Sequence, residues 1–311
     1  MEEKTKAKSK GIQVIIYLLL TVLIVLSLIY IINFFSLKQE AKEQSKLLST
    51  IDIYEKENAK EVAQTISENE KEKVESDSEE KGETISTENT EEQKQETERM
   101  LQVKELQEQN ADIIGWLEIE NTNINYPVLQ GTDNSYYMTH NYKKENSKNG
   151  SIFLDANYNW NIPSNNLLIY GHNLGNGMMF QELLKYEKES FYQEHPIIRF
   201  TTAEEDAEYD IISAFKSRVY HKSEKNVFRY YFFLNSESEE EYKEFVKNAK
   251  NASLYPISTT ANYGNQLITL STCSYYVQDG RFAVVGRRKW CPIGDGDDFR
   301  DGAKNHQYIF F

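Results

Sequence analysis

The chain has 311 residues, a formal net charge of −14 from 49 acidic and 35 basic side chains, 2 cysteines, 39% hydrophobic and 13% aromatic content. That length holds one or two domains with a full core, and the acidic balance excludes a phosphate-tracking nucleic-acid binder, whose affinity comes from clustered Lys and Arg. Two cysteines exclude a disulfide-stapled scaffold and a four-thiolate zinc site.

From Gly11 to Phe35 no residue is charged, and at about 1.5 Å rise per residue this run crosses a hydrocarbon core. A cleaved signal peptide would have a shorter apolar stretch of about 7–15 residues ending in a small-residue cleavage site. Here the run ends at Phe34, Phe35 and Ser36, which favours an uncleaved signal anchor over residues 11–35. Lys4, Lys6, Lys8 and Lys10 precede it and hold residues 1–10 in the cytoplasm as a basic tail. Lys38, Lys42 and Lys46 weaken that bias without cancelling it. This single-pass topology in the cell membrane puts everything beyond about residue 36 outside the cell, where function works without cytosolic ATP.

Between Lys38 and Arg99 there are 19 acidic and 10 basic residues and one aromatic, Tyr54. So little apolar surface cannot repay the entropy of ordering. Residues 36–99 therefore read as an acidic, low-complexity, disordered stalk, with a partial helix or coiled coil near Leu47 to Ile66 as the lesser reading.

From about Met100 to Lys289 the texture turns aromatic, β-branched and turn-rich, which marks one domain over residues 100–289. Met100, Val103 and Leu106, then Ile113 and Ile114, predict two short entry helices before Trp116. Strand patterns follow at Trp116 to Ile119, Asn123 to Val128, Ser151 to Leu154, Asn166 to Tyr170, Ile197 to Thr201, Glu208 to Arg218, Gln266 to Cys273 and Arg281 to Arg288. Eight such runs with Gly, Asn and Asp between them predict a mostly β barrel or sandwich with peripheral helices. One amphipathic helix interrupts them, with Ser236 and Ser238 as caps and Tyr242, Phe245, Val246 and Ala249 on one face. No internal repeat, Walker loop, dinucleotide fingerprint or HExxH signature is present.

Three residues stand at strand ends where chemistry is accessible. Cys273 closes Gln266-Leu-Ile-Thr-Leu-Ser-Thr-Cys273, so its thiol lies at a strand mouth; the bland alternative is a small buried hydrophobe. Arg281 opens the next strand after Gln278-Asp279-Gly280, and a hairpin of that form returns its guanidinium to the thiol. There it suits donation to a developing oxyanion, though a surface arginine is the plainer reading. His172 follows the apolar run Leu167-Leu-Ile-Tyr170 at a glycine-marked exit. His140, His195, His221 and His306 have weaker contexts. Together Cys, His and Arg supply nucleophile, proton carrier and oxyanion donor for acyl transfer, with no metal required.

Thr269-Leu-Ser-Thr-Cys273, Arg281-Phe-Ala-Val-Val and Tyr170-Gly-His172 resemble a sortase, the cell-wall cysteine transpeptidase family of Gram-positive bacteria, over about Asn110 to Arg288. Asp112-Ile-Ile-Gly-Trp116-Leu, Ile124-Asn-Tyr-Pro127-Val-Leu-Gln130 with Asp133-Asn134-Ser-Tyr-Tyr137, and the acidic helix before the cysteine strand are similar to class B. The resemblance implies an eight-stranded sortase β-barrel. It also implies that Cys273 attacks the carbonyl after Thr in a sorting signal of the NPxTx kind carried by surface proteins, and that an amine of a lipid-linked peptidoglycan precursor resolves the thioester. By motif position it makes His172 general acid and base, Arg281 the oxyanion and substrate-backbone donor, and Asn134, Tyr170 and Ser271 the lining of the substrate groove. No metal or cofactor is implied.

Residues 290–311 depart from the pattern, adding Trp290-Cys291-Pro292 and a Gly/Asp-rich tail of unassigned role; pairing of Cys291 with Cys273 would make it a redox lock, and a passive tail is the simpler reading. Three rivals to wall anchoring stay open. A pilin lysine as acceptor makes the enzyme a pilus polymerase, water as acceptor makes it a surface cysteine protease, and coincidence of the three motifs leaves a non-enzymatic surface receptor.

Overall fold

The structure is a computed structural model that describes residues 15–43, 87–161, 165–175 and 177–289. Helix α1, Ile15–Glu43, is long and apolar enough to cross a membrane; most of its apolar side chains, among them Leu19, Leu23, Leu26 and Ile32, are exposed, while Ala41 near its end is buried in the core of the domain. The 23-residue helix α2, Thr87–Gln109, leads into the domain. Eight strands follow: β1 (Ile113–Glu118), β2 (Asn125–Leu129), β3 (Ile152–Leu154), β4 (Asn166–Gly171), β5 (Ile197–Thr201), β6 (Asp206–Arg218), β7 (Leu267–Cys273) and β8 (Gly280–Arg288). The short helix α3, Glu189–Glu194, precedes β5, and α4, Glu239–Ala252, lies between β6 and β7.

The strands close into a barrel in the order β1-β2-β3-β4-β7-β8-β6-β5. The β2–β3 and β4–β7 pairs are parallel, and the remaining neighbours are antiparallel. Successive side chains on a strand alternate faces. Along β7 this sends Ile268 and Leu270 into the interior with Ile169, Phe282 and Val284. It sends Leu267 outward, where Leu168, Ala283 and Val285 meet the apolar face of α4, formed by Tyr242, Phe245, Val246 and Ala249. The Ser238 side chain caps α4 by accepting from the Glu241 N–H at 3.2 Å, and Glu239, Glu240 and Glu241 occupy its first turn, where the helix dipole favours negative charge.

All eight predicted strand runs overlap the observed strands, and the interrupting helix lies where its apolar face predicts it. Three expectations are corrected. Ile113 and Ile114 open β1 rather than a second entry helix: Ile113 pairs with Leu129, and the Asn110 side chain accepts from the Asp112 N–H at 3.0 Å in a turn that ends α2. Two adjacent isoleucines carry no period, and their β-branching favours the strand. The stalk over residues 36–99 is helical at both ends, since α1 runs to Glu43 and α2 starts at Thr87; Glu, Lys and Gln are good helix formers even without an apolar face. Residues 44–86 and 290–311, with the coiled-coil reading, His306 and Cys291, lie outside the described residues. Of the two serines read as caps, only Ser238 caps α4; the Ser236 hydroxyl donates to Asn165 Oδ1 at 2.8 Å.

Candidate active site

The site is built at one end of the β4, β7 and β8 strands. Cys273 is the last residue of β7 and lies directly opposite Arg281, the second residue of β8. On the other side β7 runs parallel to β4, with Tyr170 level with Ser271 and Gly171 level with Thr272. The next step in that register carries His172 beside Cys273. By alternation Tyr170, His172, Ser271, Cys273 and Arg281 share the outer face of the barrel.

Three interactions lock this register. The Thr272 hydroxyl donates to the Gly171 carbonyl at 2.7 Å, and Asn173 Nδ2 donates to the Cys273 carbonyl at 3.0 Å. Gly171 leaves no room for a side chain: a Cβ there would lie 2.5 Å from Ile152 Cδ1 and 2.6 Å from Phe180 Cγ. The strand before His172 therefore sits flush against the filled interior.

Asn134, Met138, Phe153, Tyr170, Gly171, His172, Ser271, Thr272, Cys273 and Arg281 line one pocket of about 200 Å³. All six residues expected at the site, Cys273, His172, Arg281, Asn134, Tyr170 and Ser271, are among them. A small-molecule site encloses about 300–1,000 Å³, so this cleft suits one or two side chains of an extended chain. Among the described residues Cys273 is a free, half-buried thiol. His172 Nε2 lies 2.7 Å from the Met138 carbonyl. A carbonyl only accepts, so Nε2 holds the hydrogen and a neutral ring keeps Nδ1 as its base. Arg281 Nη1 donates to the Gly280 carbonyl at 3.0 Å, which leaves other guanidinium N–H groups for a ligand.

Sequence reasoning missed the supports behind these groups. Asp155, buried just after β3, accepts from Tyr170 Oη at 3.0 Å and from Asn134 Nδ2 at 2.9 Å. Burial and the adjacent Asp155 charge push the Tyr170 phenol up. The buried Tyr230 hydroxyl lies 2.7 Å from Ser271 Oγ, and its phenol is also pushed up by burial. An aspartate closing the apolar run Ile152-Phe-Leu154 was the available signal for the first. Tyr230, in an aromatic stretch, had none. The other histidines bond elsewhere: His140 with the Tyr136 carbonyl, His195 with the Glu120 carbonyl and His221 with Ser223 Oγ.

A thiol, an imidazole and a guanidinium at adjoining strand ends form the equipment for acyl transfer through a thioester. The family model for the Sortase domain matches residues 117–289. This chain belongs to the sortase family. It is 31% identical over 190 residues to Sortase B of Listeria monocytogenes, covering 60% of this chain and 73% of that protein. It is 32% identical over 188 residues to Sortase B of Staphylococcus aureus, covering 60% and 74%. A solved S. aureus sortase B–substrate complex matches with a TM-score of 0.54 at 27% identity, covering 66% of this chain and 99% of that one. The chain is thus a class B sortase, and its barrel is that of a cysteine transpeptidase. Enzymes of this family act on sorting-signal-bearing substrates and amine acceptors, which rules out the receptor reading. Two of the sortase's site groups, Arg281 and Cys273, come from one hairpin, and the third comes from a strand about a hundred residues earlier.

Proposed function

We propose that this sortase is a membrane-anchored transpeptidase in which Cys273 cleaves an NPxTx-like sorting signal after Thr and passes the surface protein to an amine of a peptidoglycan precursor. The observation that carries the reading is the convergence of Cys273, His172 and Arg281 with Asn134, Tyr170 and Ser271 on one pocket wall. The Cys273 sulfur, its proton taken by His172, attacks the carbonyl carbon after Thr. Arg281 donates to the resulting oxyanion. The C–N bond breaks as His172 returns the proton to the leaving amine, which leaves a thioester on Cys273. An acceptor amine then attacks that thioester, a new amide forms, and the thiol is regenerated. Asn134, Tyr170 and Ser271 hold the signal in the cleft. Helix α1 anchors the chain with its N-terminus in the cytoplasm, so that the domain over residues 100–289 works outside, joined to the membrane by the acidic segment.

The test is mass spectrometry of the full-length chain in detergent, incubated with a library of NPxTx-type peptides with and without amine acceptors. Cleavage after Thr with amine adducts, lost in Cys273→Ala, is the expected result. Adducts on glycine-type or cross-bridge amines mark wall anchoring, and adducts on a lysine side chain within a pilin-type peptide mark subunit polymerisation. Cleavage without adducts at saturating amine would make the enzyme a protease. Absence of any acyl-enzyme on reduced, folded Cys273 would defeat the reading.

A further inference from the structure

The hydrogen-bond polarity of the pocket wall is set behind it. Asp155 is buried and its carboxylate accepts four hydrogen bonds: Tyr170 Oη at 3.0 Å and Asn134 Nδ2 at 2.9 Å on Oδ2, and the Asn157 N–H and Asn157 Nδ2, both at 2.9 Å, on Oδ1. A carboxylate has about four lone-pair positions, so all of them are taken by donors. Three of those donors are N–H groups that cannot reverse. The fourth, Tyr170, therefore spends its only proton backwards on Asp155, and toward the pocket its oxygen can only accept. Asn134 is fixed in the same way. Its Oδ1 accepts from the Ala156 N–H at 2.7 Å and one Nδ2 hydrogen goes to Asp155, so what Asn134 has left at Nδ2 is a donor.

We infer that Asp155 is a positioning residue that presents Tyr170 as an acceptor and Asn134 as a donor to the substrate, so that the cleft recognises a group with a donor and an acceptor side by side, a peptide or side-chain amide. The inference rests on the reading of this pocket as the sorting-signal site. Asp155 is not among the residues that line the pocket and acts through the two residues it holds.

Asp155→Asn tests the idea because the shape is kept and the polarity is not. The Asn157 donors require the new carbonyl oxygen on their side, which turns the new NH2 toward Tyr170 and Asn134. Tyr170 must then accept from it and swing its own proton into the pocket, while two NH2 groups oppose each other at Asn134. In the full-length chain, D155N should raise KM for the sorting peptide on the order of ten- to a hundredfold. It should leave kcat nearly unchanged, along with the rate at which iodoacetamide alkylates Cys273, a reaction that needs the thiol and His172 but no peptide. Tyr170→Phe removes the same acceptor and should raise KM comparably, and the double variant should be little worse than either single change.

A folded D155N with wild-type KM overturns the inference. So does a KM rise matched by an equally slowed alkylation, since that marks a general scaffold role. Where D155N fails to fold, Y170F carries the decision on the same two readouts. If the wild-type chain processes no sorting peptide, the functional reading fails with the inference, whereas product from the wild type with unaltered KM in the variants overturns the inference alone.

Discussion

Gly171→Ala puts one methyl group into the tightest point of the site's support. The added Cβ would lie 2.5 Å from Ile152 Cδ1 and 2.6 Å from Phe180 Cγ, where ordinary contact begins at 3.4 Å. Both neighbours are fully buried, so each must give most of an ångström inside a filled core. Overpacking of this kind costs about 1–3 kcal/mol. For a domain of 150–250 residues each kcal/mol lowers Tm by about 2–4 °C, so the expected drop is about 2–12 °C. Activity should suffer more than stability, because the easier relief is for β4 to move outward, and Gly171 is bonded to His172. A misplacement of about 1 Å at a reacting group can cost about a hundredfold, so kcat/KM should fall by one to two orders of magnitude, chiefly through kcat. Thermal unfolding and steady-state peptide cleavage, measured on the same preparation, read both numbers. Adding Ile152→Val removes Cδ1 and should recover part of the loss, with the Phe180 ring keeping the rest. A variant with wild-type Tm and wild-type kcat would mean that the interior at β4 is not filled, and the account of how His172 is placed would fail.

Arg281→Lys keeps a positive charge but loses the planar fork that reaches a backbone carbonyl and an oxyanion together; kcat should fall by about 10²–10³-fold, and a fall under threefold would remove Arg281 from the oxyanion role. Asp112 should carry an acid-dependent share of stability. Burial works to raise its pKa, but hydrogen bonds from Tyr137 and Lys144 and the Lys144 charge outweigh this and hold the carboxyl below its usual 3.8. The folded pKa is depressed, so the contribution is present above 3.8 and is lost as pH falls through the lower folded value. Urea titrations should show Asp112→Asn destabilised at pH 7, with the gap to the wild type closing as pH falls below the ordinary carboxylate range; a gap that persists at acid pH would place the effect in packing instead.

The strands were legible because their β-branched and aromatic runs are short and bounded by Gly, Asn and Asp, which leaves helix little room. The proposed catalytic trio stood out for a related reason: a strand end shows in sequence as the place where an apolar run gives way to polar residues, and Cys273, His172 and Arg281 all stand at such ends. Which face of the barrel they occupy was not legible. The β4 run Leu167-Leu-Ile-Tyr170 is apolar on both faces, since one packs into the barrel with Ile169 and the other, through Leu168, meets the residues under α4, and a strand covered on both sides shows no alternation to read. Asp155 was hidden for the opposite reason. An aspartate after a strand reads as an ordinary turn residue, and only the fold reveals that its carboxylate turns inward to Tyr170 and Asn134.

The two halves of the site depend on different amounts of folding. Arg281 reaches Cys273 through a hairpin eight residues apart, a contact whose loop-closure cost is small. His172 reaches Cys273 only when β4 lies parallel to β7, and parallel neighbours need a long crossover, here the stretch that carries β5, β6 and α4. Bringing thiol and guanidinium together therefore closes a far smaller loop than bringing the imidazole to them, which needs the β4–β7 pairing. The Gly171 contact, the Thr272 hydroxyl and the Asn173 amide then bear on one register. A one-residue slip of β4 would turn His172 to the opposite face. The same three contacts that hold β4 in place thus fix where the proposed proton carrier sits relative to the proposed nucleophile, which ties the proposed chemistry of this sortase to the completion of its fold.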